Sequence, residues 1–142
     1  MENKILEVAI IGLGARGGYA YGLYIKENKD KFHINAICDV NPTRLKKWGD
    51  IFEVPEENRY LTEDEFFKEK RGDVLLVTTM DRLHVGHAVK GLEKGYNLLL
   101  EKPISDDMEE LHMLYEVAKK NNLVVMVCHV LRYTVWIRKC KE

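Results

Sequence analysis

The sequence predicts a doubly wound parallel α/β sheet in a single domain, and three observations carry that prediction. Short apolar runs alternate with helix-compatible stretches along almost the whole chain. Some of the runs, Val74-Leu75-Leu76-Val77 above all, are apolar at every position, as strands covered on both faces are. The first run, Leu6–Ile11, ends in glycines at positions 12, 14 and 17, and a helical segment follows at once. Alternation of this kind gives parallel strands joined by right-handed helical crossovers.

Each element has a local reason. Leu6–Ile11 is the first strand, and residues 16–28 follow as a helix with Tyr21, Tyr24 and Ile25 on its apolar side. Phe32–Cys38 is the second strand. Asn41 then offers a side-chain cap and Pro42 a preset first helical residue, opening a helix that runs to Phe52. A short strand near Tyr60 precedes Thr62-Glu63-Asp64-Glu65, a capping box that starts another helix. Residues 73–78 form the fourth strand, and residues 83–94 a helix stopped by Gly95 as a left-handed C′ residue. Residues 96–100 are the fifth strand, residues 106–121 a helix capped by Ser105, and residues 123–128 the last strand. Met108, Leu111, Leu114, Tyr115 and Ala118 form a stripe that reads as helical core. Residues 1–129 thus make one domain, and residues 130–142 begin a connection beyond it.

Composition bounds the function. The 142 residues suffice for one domain with a sizeable core, and 46% hydrophobic with 32% charged residues is a globular balance. A formal net charge of −1 without any basic block argues against nucleic acid and against an anionic membrane surface. No apolar run approaches the length of a membrane span. Met1 to Lys4 lead straight into the first strand, so no signal peptide is expected. Cys38, Cys128 and Cys140 are odd in number and far apart, and the first two sit in apolar runs as small buried hydrophobes. The expectation is a reduced, cytoplasmic protein.

The glycine turn carries the chemistry. Gly12 allows a tight turn, Gly14 leaves backbone room for a pyrophosphate, and Gly17 lets helix and strand pack closely. Gly12, Leu13, Gly14, Ala15, Arg16 and Gly17 are therefore the candidate diphosphate cradle, at the positive end of the helix that begins near Ala15. In open parallel sheets the ligand lies beyond the carboxyl ends of the strands, so the residues after each strand are informative. After the second strand comes Asp39, about 20 residues past the turn, where a carboxylate accepts from ribose hydroxyls and repels a 2′-phosphate. That favours NAD over NADP. Arg44 bears on the same choice, since its guanidinium could meet a phosphate; a turn aspartate and a solvated arginine are the plainer readings of the two. Methyltransferases also combine a glycine turn with an acidic residue, but their G-x-G-x-G spacing needs glycine at position 16, where this chain has Arg16.

After the fourth strand the chain reads Thr78-Thr79-Met80-Asp81-Arg82-Leu83-His84, and after the fifth Glu101-Lys102-Pro103. A lysine at the mouth of a nucleotide cleft can shuttle a proton; from residue type alone Lys102 could equally be a solvated loop residue. His84 and His87, three apart on one helix face, invite a metal reading, but no third ligand lies near them in sequence. A cofactor-flanking residue and an ordinary surface histidine describe them better.

The glycine turn, Asp39, the segment from Thr79 to His84 and, most specifically, Glu101-Lys102-Pro103 resemble the Gfo/Idh/MocA oxidoreductases, from about Val8 to Tyr133. The resemblance implies that Lys102 touches the nicotinamide ribose and the substrate. It implicates Thr78, Thr79, Met80 and His84 beside the cofactor, along with Glu101 and Pro103, and Arg132 with Tyr133 near the nicotinamide end. Where many relatives have proline after the first loop threonine, this chain has Thr79. The function implied is the NAD-binding portion of a dehydrogenase acting on a sugar, cyclitol or related polyol by hydride transfer. The alternative is a stand-alone, non-catalytic module that senses NAD(H) or pairs with a partner chain. Relatives continue into a second α/β domain, and the chain read here reaches Glu142, so the expectation is little catalysis from this length alone. The apolar tail Val130, Leu131, Val135, Trp136 and Ile137 adds the expectation of a homo-oligomer.

Overall fold

The computed structural model describes residues 4–140; Met1 to Asn3, Lys141 and Glu142, which the sequence assigns to the domain's start and the end of the connection, lie outside the described residues. Six parallel strands form one sheet in the order β3-β2-β1-β4-β5-β6. They are β1 (Leu6–Ile11), β2 (Phe32–Cys38), β3 (Arg59–Tyr60), β4 (Val74–Val77), β5 (Asn97–Leu100) and β6 (Val125–Val127). β1 pairs with β2 on one side and β4 on the other, so the chain reverses its direction of travel across the sheet between them. A crevice opens at such a reversal, beyond the carboxyl ends of β1 and β4.

Alternate residues along β1 enter two separate cores. Val8 and Ile10 pack with Leu13, Ile25, Leu45, Trp48 and Phe52. Ala9 and Ile11 pack on the opposite face with Phe66, Leu92, Tyr96 and Leu114. Helices α1 (Leu23–Glu27) and α2 (Pro42–Phe52) cover the first face, while α3 (Glu63–Phe66), α4 (His84–Glu93) and α5 (Met108–Lys120) cover the second. The doubly wound parallel sheet predicted from the sequence is what the structure shows.

Several local expectations hold in detail. Asn41 accepts from the Arg44 amide ahead of Pro42, and Thr62 accepts from Glu65 at the start of α3. Gly95 adopts φ +84 after α4, the left-handed geometry that ends a helix. Cys38 and Cys128 are buried and Cys140 is exposed, all three as free thiols.

Three expectations need correction. The helix expected over residues 16–28 is a wide π-type segment, Ala15–Gly22, followed by the short α1. Gly17, Gly18 and Gly22 weaken the ordinary helical ladder and let the backbone lie against Gly12, Trp48 and Phe52 respectively. The last long helix is capped by Asp107, whose carboxylate accepts from the Glu109 and Glu110 amides; Ser105 instead accepts from the Asp107 amide. Finally, only Leu114 of the α5 stripe is fully buried, whereas Met108 and Tyr115 are exposed, because α5 meets the core through Leu114, Val117 and Ala118 and turns the other positions outward. After β6 come a 3-10 turn, Val130–Tyr133, and α6 (Val135–Lys139).

Candidate functional site

A cleft of about 660 Å³ opens at the carboxyl ends of β1, β2 and β4, lined by Gly12, Gly14, Asp39, Arg44, Thr78, Thr79 and Met80. Its size is that of a small-molecule or cofactor pocket. Seven residues singled out from the sequence therefore meet in one place.

The glycine turn forms its floor. Gly12 has φ +92, and a Cβ there would lie 2.6 Å from the Thr78 carbonyl oxygen, so both conformation and space demand glycine. A Cβ on Gly17 would collide with the Gly12 carbonyl. At Gly14 a Cβ would meet nothing within 4 Å. The backbone there is bare toward the cleft while Gly12 and Gly17 are tightly packed, which is what a bound pyrophosphate requires of that position. The Thr78 hydroxyl donates within reach of the Ile11 and Gly12 carbonyls, at 3.1 and 2.6 Å, and ties β4 to the turn.

Asp39 caps β2 and is only 6% exposed. Its Oδ2 accepts from the buried Leu13 amide at 2.7 Å, and Oδ1 from the Asn41 amide at 2.8 Å. Arg44 turns onto the same Oδ1, so its guanidinium is tied to Asp39 rather than left free. Leu13 itself is core; only its backbone serves the site.

A second polar cluster lies at the end of β5. Glu101 is 5% exposed and accepts from the Tyr21 phenol at 2.6 Å and from the Lys102 amide at 3.0 Å, with Arg16 Nε 3.7 Å away. Burial, then hydrogen bonding with Cys128 and Glu101, pushes the Tyr21 phenol well above its ordinary range, so it stays a donor. Pro103 follows Lys102 through a cis peptide bond, and its carbonyl lies 2.6 Å from His84 Nδ1. Lys102, Ala15, Arg16 and Arg132 are exposed, and none of them lines the cleft.

The reading of His87 as a surface histidine is overturned, because it is 6% exposed and lines the cleft. Its Nε2 sits 2.6 Å from Glu63 Oε2 and its Nδ1 3.0 Å from the Thr79 hydroxyl. Burial holds its pKa below the usual imidazole value, against the pull of Glu63. Burial pushes the Glu63 carboxyl up, but Lys90 and His87 outweigh it and the net shift is downward. Burial also raises the Cys38 thiol to about 12, so this cleft-lining sulfur is an inert thiol. The sequence reading also missed Val40, Leu61, Thr62, Glu63, Arg82 and Leu83, which complete the lining. Leu61 to Glu63 follow β3 directly, so the strand-end rule applied to that weak strand would have found them.

Residues 6–129 match the family model described as an oxidoreductase family, NAD-binding Rossmann fold, of the Gfo/Idh/MocA group. The chain is 28% identical over 145 residues to the oxidoreductase-type protein YteT of Bacillus subtilis, covering 95% of this chain and 32% of that protein. It is 25% identical over 128 residues to the scyllo-inositol 2-dehydrogenase (NADP(+)) IolW of the same organism, covering 90% and 34%. The solved structure of apo scyllo-inositol dehydrogenase from Lactobacillus casei superposes with a TM-score of 0.88 at 22% identity, covering 99% of this chain and 41% of that one. The chain thus spans about a third of the length of these curated relatives. With a glycine-floored cleft at the reversal point of a parallel sheet and a family match over most of its length, the chain belongs to the Gfo/Idh/MocA oxidoreductases and carries their NAD-binding Rossmann fold.

Proposed function

We propose that this chain is the nicotinamide-dinucleotide-binding portion of an oxidoreductase acting on a sugar, cyclitol or related polyol, with NAD favoured over NADP. The observation that carries the reading is the pairing of a bare Gly14 backbone with the buried carboxylate of Asp39 in one cleft. Gly12 to Gly17 would hold the diphosphate, and Asp39 the adenosine ribose. The nicotinamide, when bound, supplies the carbon that exchanges a hydride with a carbinol carbon. Lys102 Nζ would take up or return the hydroxyl proton, on a peptide unit anchored to Glu101. Thr78, Thr79, Met80, His84, Glu101, Pro103 and Arg132 would flank the cofactor. The scyllo-inositol 2-dehydrogenase IolW among the relatives supports the polyol class.

In this reading residues 1–129 act as the cofactor domain and residues 130–142 lead away from it. Free thiols at Cys38, Cys128 and Cys140 fit a reducing, cytoplasmic setting, and among the described residues no helix is long and apolar enough to cross a membrane. Leu131, Val135 and Trp136 are 65%, 71% and 77% exposed, and self-association through them is part of the proposal. Calorimetric titration with NAD⁺, NADH, NADP⁺ and NADPH tests the central claim. Binding of the NAD pair with weaker binding of the NADP pair supports it, and no binding of any of the four overturns it.

A further inference from the structure

One polar corner of the cleft has its hydrogen bonds arranged in a fixed order. Thr79, His87 and Glu63 meet there, in a cleft whose lining also includes the apolar Val40, Leu61 and Leu83. We infer that Thr79, oriented by His87 and Glu63, reads the base of the dinucleotide and selects adenine over hypoxanthine. This rests on the cofactor reading above and deepens it.

An ionised carboxylate only accepts. Glu63 is ionised near neutrality, with Lys90 Nζ 3.0 Å from Oε1, so the 2.6 Å contact at Oε2 must be donated by His87 Nε2. Burial disfavours a charged His87, and a neutral imidazole has one donor and one acceptor. With Nε2 donating, Nδ1 accepts. The Thr79 hydroxyl, 3.0 Å away, therefore donates its single hydrogen to His87. Its remaining capacity is two lone pairs. The corner built on Thr79 and Glu63 thus offers acceptors to whatever enters the cleft.

That polarity discriminates between two bases of the same shape. Adenine carries an exocyclic amino group, a donor that matches such a corner. Hypoxanthine carries a carbonyl oxygen at the same position, which would face oxygen lone pairs and set acceptor against acceptor. A site organised to pair one polar group rejects the analogue that lacks it, because its own groups are then left unpaired. The Thr79 backbone is held from its other side, with His84 Nε2 3.1 Å from its carbonyl oxygen. Arg82 and Thr62 line the same cleft and could donate, and they supply the rival outcome.

The test is calorimetric titration of the full chain with NAD⁺ and with nicotinamide hypoxanthine dinucleotide. The expected result is at least tenfold tighter binding of NAD⁺. Thr79→Val, which keeps the shape and removes the hydroxyl, should bring the ratio to within about threefold. Thr79→Ser should restore it. His87→Phe should lower the ratio as well, since the hydroxyl is then free to donate. Equal affinities in the unmodified chain, a preference for hypoxanthine, or a ratio that survives Thr79→Val would overturn the inference while leaving the cofactor reading intact. Absence of binding by both dinucleotides would overturn the cofactor reading, and this inference with it.

Discussion

Arg44 folds back across the first turn of its helix and sets Nε and Nη2 on Asp39 Oδ1, at 3.2 and 3.0 Å. The pair matters for cofactor choice. Arg44 is half-exposed, so the ion pair is partly screened and Asp39 keeps an effective negative charge toward the cleft. NAD(H) is expected to bind more tightly than NADP(H). Asp39→Asn should narrow the difference by about tenfold, of the order expected for losing one charged hydrogen bond. Asp39→Ala should narrow it too, with a stability penalty, because the buried Leu13 amide loses its acceptor. Titration of both variants with both cofactors decides the matter, and equal affinities in the unmodified chain would refute it.

The glycines of the turn should separate binding from folding. Gly14→Val places its side chain in open space and should leave the melting temperature nearly unchanged while abolishing dinucleotide binding. Gly17→Ala meets the Gly12 carbonyl and should instead destabilise the fold by more than about 1 kcal/mol. Paired thermal melts and titrations check this. A Gly14→Val chain that still bound NAD⁺ would place the phosphates elsewhere.

Tyr21 should be worth more than its half-buried surface suggests. Tyr21→Phe removes a 2.6 Å donor from the buried Glu101 carboxylate, and the loss should be about 1–3 kcal/mol in a urea titration. A loss within about 0.5 kcal/mol would mean that Arg16 and the Lys102 amide hold Glu101 unaided.

Acid should weaken the fold in two steps. His87 has a folded pKa below its ordinary 6.5, so the unfolded chain binds the extra proton first and stability falls as pH drops below about 6.5. Glu63 has a folded pKa below its ordinary 4.5; its contribution is present above that value and is lost as pH falls through the folded pKa. Urea titrations from pH 8 to pH 3 should show a plateau above pH 7 and a decline beneath. His87→Phe should remove the upper part of the decline. A profile unchanged by that substitution would show that His87 takes no part in it.

Sedimentation equilibrium tests self-association. The full chain should form dimers or larger species through the face carrying Leu131, Val135 and Trp136, and a chain ending at His129 should not. A concentration-independent monomer for the full chain would rule the assembly out.

What could be read from the sequence was what local chemistry dictates. The Asn41-Pro42 start of α2, the Gly95 stop of α4 and the all-apolar β4 depend on neighbours a few residues away, and each appears where expected. The glycine turn was legible for the same reason. The fate of His87 was not, because its partners Glu63 and Thr79 lie apart in sequence and meet only when α3 and the end of β4 converge on α4. Arg44 likewise looked free until the turn of α2 brought it onto Asp39. The α5 stripe has the right period for a buried face, but how much of it is covered depends on what else occupies that side of the sheet.

The π-type segment from Ala15 to Gly22 bears on how this stretch of chain can tolerate change. A wider turn holds more residues for the same advance, so the segment carries slack that an ordinary helix lacks. Deleting one residue between Arg16 and Gly22 would let the helix tighten and still pair its backbone. The tightened helix would rotate Tyr21 off Glu101 and bring side chains to the places where Gly18 and Gly22 now pass Trp48 and Phe52. Substitutions at exposed Ala20 should pass almost unnoticed, while a single deletion beside it should disturb two cores and the end of β5 together. Length is the property this part of the chain has to keep.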